Sequence, residues 1–156
     1  MIKKHWKGLL ISIIIALLFG GLGALLANSM SGYQELNKPS FAPPAILFPI
    51  VWSILYILMG ISSYIVYISD NKEKESALIV YGTQLIINSL WTFIFFNLQA
   101  RLFAFIWLLI LIILVCIMIY KFFKVNKLSA YLQIPYLIWL VFAAVLNFAT
   151  YTLNKW

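Results

Sequence analysis

The sequence predicts an all-α integral membrane protein, a single bundle of five transmembrane helices with a long lid loop between the first two. Three observations lead there. Of its 156 residues, 65% are hydrophobic and only 10% charged, with a mean hydropathy of +1.02, whereas soluble domains are about 45–50% apolar. The apolar residues fall into five runs, each near the roughly 20 residues that cross a hydrocarbon core. The charged residues gather in the links between those runs.

Taken in order, Lys3, Lys4 and Lys7 precede a first apolar run at 8–27. A signal peptide has an apolar region of about 7–15 residues, so this longer run reads as a retained first helix. Within it, Gly20/Ala24 and Gly23/Ala27 repeat the small-xxx-small spacing that lets helix backbones approach closely. Such a stripe serves either packing inside the bundle, which is favoured, or a homodimer seam. A second helix is expected at 46–68, followed by a polar link at 69–76 that carries Asp70, Lys72, Glu73, Lys74 and Glu75. The third is expected at 77–98 and the fourth at 102–123. The link Gln99-Ala100-Arg101 between them is so short that they must be antiparallel neighbours. The fifth is expected at 129–153. The whole chain, 1–156, reads as one domain, and no repeat between halves supports an inverted-repeat transporter.

Orientation follows from the basic residues. With the N-terminus inside, the inner side holds Lys3, Lys4, Lys7, Lys72, Lys74, Lys121, Lys124 and Lys127; the outer side holds Lys38, Arg101 and Lys155. The positive-inside rule then predicts a multi-pass protein of the cell membrane, N-terminus cytoplasmic and C-terminus outside, with the lid loop outside. The same rule accounts for the formal charge of +7, because the lysines flank apolar runs; nucleic acid is not expected as a partner, and the lipid bilayer is.

Several classes of chemistry are excluded. Cys116 and His5 are the only residues of their kinds. One chain therefore has no disulfide scaffold, no CxxC redox pair and no cysteine zinc site. No pair of intramembrane histidines can ligate haem, and no cluster can hold a metal. No Asp, Glu, Lys, Arg or His lies in the middle of a run, so a proton-coupled pump is disfavoured.

The most informative stretch is 32–56, GYQELNKPSFAPPAILFPIVWSILY. It is a proline-rich, aromatic connection entering a membrane segment, and loops longer than about 12 residues are usually functional. Beyond it, polar and aromatic groups recur at helical spacing: Phe48, Trp52 and Tyr56; Gln84, Asn88, Trp91 and Phe95; Trp139, Ala143, Leu146, Asn147 and Tyr151. Trp6 and Trp156 suit an interfacial belt. Trp91 and Trp139 lie about ten residues inside their runs, near the bilayer centre. These rings and amides serve equally as packing between helices or as the walls of a cavity for a flat, uncharged molecule.

The pattern GxYxxLxKPxFxPP, here Gly32, Tyr33, Leu36, Lys38, Pro39, Phe41, Pro43 and Pro44, is followed by Trp52 and Leu55-Tyr56. It resembles the signature of the translocator protein family, also called tryptophan-rich sensory proteins or peripheral benzodiazepine receptors. Asn88, Trp91 and Phe95-Phe96 are similar to that family in the third helix. Pro135-Tyr136, Trp139, Phe142-Ala143 and Leu146-Asn147 are similar in the fifth. The likeness covers nearly the whole chain and is weakest over 1–30.

The resemblance implies a five-helix bundle that binds porphyrins, sterols and synthetic isoquinoline or benzodiazepine ligands in a cavity capped by the first loop. By position, Tyr33 and Pro43 would belong to the lid, and Trp52, Asn88, Trp91, Trp139, Ala143 and Leu146 to the pocket. Some bacterial members are reported to promote light- and oxygen-dependent breakdown of protoporphyrin. In that chemistry Trp52 and Trp139 are the catalytic candidates, as electron-rich indoles flanking the ring. The expected role is thus a membrane receptor for porphyrin, which is ligand or substrate, with no cofactor required. The alternatives are a passive transporter of porphyrin or sterol, or a ligand-responsive stress sensor without chemistry. Lys38 and Arg101 are the outer-side cations expected to be available to propionates, and a sterol pattern at Leu146, Tyr151 and Lys155 carries little weight.

Overall fold

The computed structural model describes residues 2–26, 40–41, 47–96 and 100–153. Its helices are α1 (Ile2–Leu26), α2 (Leu47–Ile68), α3 (Lys74–Phe96), α4 (Arg101–Val125), α5 (Lys127–Leu132) and α6 (Ile134–Leu153), with no strand among the described residues. Four segments are long and apolar enough to cross a membrane: α2, α3, α4, and α5 with α6 taken together. α1 carries a shorter apolar window, Trp6–Gly21, and packs along α2 and α3.

Two of these boundaries have local causes that periodicity does not reveal. α3 starts at Lys74 rather than at 77, because Asn71 organises the turn before it. Its Oδ1 accepts from the Glu73 N–H at 2.8 Å, and its carbonyl accepts from the Lys74 N–H at 3.3 Å. The last membrane segment, expected as one helix from 129, starts at Lys127 and is broken. Asn126 is extended and caps α5 through Oδ1, which accepts from the N–H groups of Leu128 and Ser129. Pro135 brings no N–H to the next turn. The Gln133 N–H tightens onto the Ala130 carbonyl at 3.0 Å, and the helix resumes when Leu137 N–H reaches the Gln133 carbonyl at 3.2 Å.

The segments close into a ring: α1 beside α2, α2 beside α5, α6 beside α4, α4 beside α3, and α3 back against α1. α4 buries Ala104, Leu108, Leu111, Val115, Met118 and Phe122 at alternating spacings of four and three, a knobs-into-holes seam. Its other faces, with Ile106, Ile110, Ile113 and Ile117, are exposed, as a lipid-facing helix requires. Cys116 lies on that exposed side.

α1 and α2 approach at glycines. A Cβ at Gly60 would stand 2.5 Å from the Cα of Ile13, and one at Gly20 would stand 2.5 Å from the Tyr56 ring. Gly20 of the small-residue stripe therefore serves packing inside the bundle. Neighbouring Gly21 has nothing within 4 Å of such a Cβ.

The lysine-rich end is tied by polar contacts among the links. Lys121 Nζ donates to Ser76 Oγ at 2.8 Å, Lys74 Nζ to the Tyr67 carbonyl at 3.1 Å, and Asn71 Nδ2 to the Lys124 carbonyl at 3.4 Å.

Glycine at position 60 faces backbone, which cannot step aside, whereas position 82 is open. Gly60→Ala is expected to destabilise the protein by about 1–3 kcal/mol through overpacking. Gly82→Ala is expected to be neutral or to gain up to about 1 kcal/mol of helix propensity. Thermal unfolding of both variants in the same detergent checks the difference.

Candidate functional site

α2 runs beside α5 but diverges from α6, and aromatic side chains span the gap. The indoles of Trp52 and Trp139 meet edge to face, centroids 6.4 Å apart with planes at 90°. The Phe48 ring meets Trp139 at 6.0 Å, and Trp139 in turn contacts Phe142 at 5.3 Å. On its other side Trp52 stacks on Tyr56, 5.6 Å away with an interplanar angle of 29°, and meets the edge of Tyr136 at 6.2 Å. Such offset and edge contacts are the favoured arrangements of aromatic quadrupoles, so the rings hold one another in place.

Beside this cluster lies a cavity of about 540 Å³, lined by Leu47, Val51 and Leu55 of α2 and by Pro135, Ile138, Trp139 and Phe142 at the start of α6 and along it. The volume falls within the roughly 300–1,000 Å³ of small-molecule sites. Its walls are hydrocarbon and aromatic, with no ionisable group among the described residues that line it. The Trp139 Nε1–H is buried and meets no acceptor among the described residues. Phe41, in the connection before α2, sits against Phe142 at 6.3 Å.

The structure divides the residues expected at the pocket. Trp52 and Trp139 are brought together, and Trp139 lines the cavity. Asn88 and Trp91 are buried and committed elsewhere. Asn88 Nδ2 donates to the Tyr136 hydroxyl at 2.9 Å, and that hydroxyl donates to Gln84 Oε1 at 2.7 Å. Trp91 Nε1 donates to Asn147 Oδ1 at 3.1 Å, and Asn147 Nδ2 donates to the Arg101 carbonyl at 2.9 Å. These bonds join α3 to α6 and α6 to α4. Ala143 and Leu146 are buried and are not among the residues lining this cavity. Tyr33 and Pro43, with Lys38 and most of the lid, lie outside the described residues.

Arg101, expected as a cation on the outer surface, is instead 2% exposed, its guanidinium over the Phe95 ring at 5.1 Å. The count of basic residues gave its side of the membrane but not its depth; the side chain packs on Phe95 of α3.

Two kinds of residue escaped the sequence reading. The aliphatic wall Leu47, Val51 and Leu55 has the same four-residue period as Phe48 and Trp52, one position earlier, but aliphatic residues carry no distinguishing mark in a membrane helix. Tyr136 stood next to Pro135 as a family-like residue without a role. It is 1% exposed, with its hydroxyl bonded to Asn88 and Gln84 of α3 and its ring against Trp52 of α2.

Tyr136→Phe leaves the Asn88 and Gln84 amides without their shared partner. A loss of about 1–3 kcal/mol is expected, read as a lower thermal midpoint in detergent, while Tyr131→Phe, on an exposed ring, leaves the midpoint unchanged.

Comparison with known proteins agrees with this architecture. Residues 11–152 match the model of the TspO/MBR family. The chain is 37% identical over 137 residues to "Protein CrtK" of Rhodobacter capsulatus, covering 86% of this chain and 85% of the relative. It is 36% identical over 141 residues to "Tryptophan-rich protein TspO" of Archaeoglobus fulgidus, covering 90% and 92%. It is 34% identical over 139 residues to the human "Translocator protein", covering 87% and 82%. With the match spanning nearly every described helix, this multi-span membrane protein belongs to the TspO/MBR family.

Proposed function

We propose that this chain is a membrane receptor for flat, largely apolar ligands, porphyrins such as protoporphyrin foremost, bound in the cavity between α2 and α6. The observation that carries the reading is the crossed pair of Trp52 and Trp139 at the edge of an apolar cavity of porphyrin-compatible size. Rigid aromatic walls give a planar macrocycle large contact area and offset π-contacts. Family membership supports the reading, and relatives bear the names "Tryptophan-rich sensory protein" and "Translocator protein".

Bound protoporphyrin is also the substrate of a light- and oxygen-dependent breakdown in this proposal. Light and dioxygen are the co-reactants, and the porphyrin absorbs the light itself, so no further cofactor is required. The protein contributes orientation: an electron-rich indole held at contact distance, with oxygen attack confined to one bridge of the macrocycle. Acid–base chemistry has no agent among the described residues of the cavity wall. A passive carrier for the same ligands is the second reading. It is favoured by Leu47 and Ile138, cavity-lining residues that are 37% and 65% exposed, which open the cavity sideways towards lipid. Porphyrin flux into sealed liposomes separates carrier from receptor.

Phenylalanine keeps stacking area and donates electrons far less readily than indole. Trp52→Phe and Trp139→Phe are expected to bind protoporphyrin in the dark within about tenfold of the parent, a change of about 1.4 kcal/mol or less, and to lose the defined photoproduct. Absorption titration in the dark, then under illumination, reads both quantities; full binding with undiminished product in the double variant removes the electron-donor role.

The proposed topology places the lysine-rich end and the N-terminus in the cytoplasm, and the start of α2 and the C-terminus outside the cell membrane. Both Ser40 and Glu75 are exposed. On a Cys116→Ser background, Ser40→Cys is expected to react with an impermeant thiol reagent in whole cells and Glu75→Cys only after lysis. The reverse pattern inverts the topology.

A further inference from the structure

The polar groups inside the bundle form two layers, one helical turn apart. The first is closed: Gln84 of α3, Tyr136 and Asn88 are mutually hydrogen-bonded, and Gln84 Nε2 faces Met59 Sδ of α2 at 4.0 Å. Moving one turn towards the lysine-rich end leads from Gln84 to Tyr81 on α3, from Tyr136 to Gln133 at the α5–α6 break, and from Met59 to Ser63 on α2. α3 and α6 run in the same direction and α2 in the opposite one, so all three steps, each about 5 Å, arrive at the same depth. Ser62 marks that depth independently, since its hydroxyl donates to the Ser129 carbonyl of α5 at 2.7 Å.

The second layer is not closed by protein groups. Gln133 is 0% exposed, and neither its Nε2 nor its Oε1 has a partner among the described residues. The Tyr81 hydroxyl is buried and makes no hydrogen bond of good geometry among the described residues, with the Ser63 hydroxyl close enough to interact with it. The Ser63 hydroxyl donates to the Gly60 carbonyl at 3.0 Å, which leaves its lone pairs available as acceptors. Donors and acceptors that no protein group closes thus lie at one level of three helices. An amide and a phenol left bare in such a place are heavily penalised. Neither can turn to bulk solvent, because lipid surrounds the bundle.

We propose that this layer is a binding site for internal water, bridging the Gln133 amide, the Tyr81 hydroxyl and Ser63. Water fits the chemistry because it both donates and accepts, and buried waters commonly make about three hydrogen bonds to groups otherwise unsatisfied. A metal ion does not fit, since no group of three acidic, cysteine or histidine side chains exists among the described residues. The break at Gln133 makes the site possible: α5 ends there against α2, with the Gln133 side chain fully buried. The bundle is then wet below the Gln84–Tyr136 layer and dry above it at the cavity, with Tyr136 as the boundary.

The test uses the full chain in lipid nanodiscs, with side-chain amides labelled and water-selective magnetisation transfer as the readout. Gln133→Leu identifies its amide signal by disappearance. The Gln133 amide is expected to exchange magnetisation with water, and the Gln84 amide, held by Tyr136 and Met59, is not. A Gln133 amide as silent towards water as that of Gln84 overturns the proposal. Stability gives the second reading. Gln133→Leu is expected to lower the thermal midpoint, because the water loses its main ligand and Tyr81 is stranded. A raised midpoint means that the layer is dry, and overturns the proposal. Should that variant fail to fold, the signal is assigned in Gln133→Asn, and the transfer measurement on the parent chain stands on its own.

Discussion

Tyr136 is the point on which the inside of this bundle depends. Its hydroxyl takes a hydrogen from Asn88 and gives one to Gln84, both on α3, while its ring lies against Trp52 of α2. One side chain of α6 therefore fixes the register of three helices. Hydrocarbon offers no alternative partner for the two amides, so the register that pairs them is strongly preferred, although each bond in a membrane is worth only about 1–2 kcal/mol. The floor of the aromatic cluster follows from it. Trp52 is held between Tyr56, Tyr136 and Trp139, and its orientation decides where a cavity remains.

That cavity is a consequence of the last segment being broken. α5 packs on α2, with the Ser62 hydroxyl on the Ser129 carbonyl. After Gln133 and Pro135 the chain continues as α6 and diverges from α2. Small residues do the opposite on the other side of α2, where Gly60 and Gly20 let α1 come close. One helix is thus pressed against a neighbour along one side and held away from another along the opposite side. Aromatic rings reach across the separation where aliphatic side chains would leave it unbridged.

The proposed receptor role uses this asymmetry. An apolar wall selects by shape and surface area. Polar specificity lies deeper, in groups already bonded between helices. A ligand in the cavity thus leans on a wall that the Tyr136 junction holds, without competing for the hydrogen bonds that keep the helices in register.

Membrane-length runs, the lysine asymmetry, the aromatic stripe of α2 and the resemblance over nearly the whole chain were legible in the sequence. They are properties of length, composition and order along one dimension. Trp52 and Trp139 were named together as indoles flanking a ligand, but their direct edge-to-face contact was not legible. What tertiary structure decided is which groups meet. Asn88 and Trp91 carry the same residue types whether they face a ligand or another helix, and only the positions of Tyr136 and Asn147 assign them to the latter. In α4 nearly every face is apolar, so nothing in its pattern marks the seam of Leu108, Leu111 and Val115; lipid and protein core are equally hydrophobic solvents for it. The break at Gln133 was missed in the sequence, where 129–153 read as one helix, and its effect, an opening between α2 and α6, depends on α5 packing on α2. Burial of Arg101 likewise follows from how α3 and α4 pack, because a cation at a helix start carries no sign of its depth.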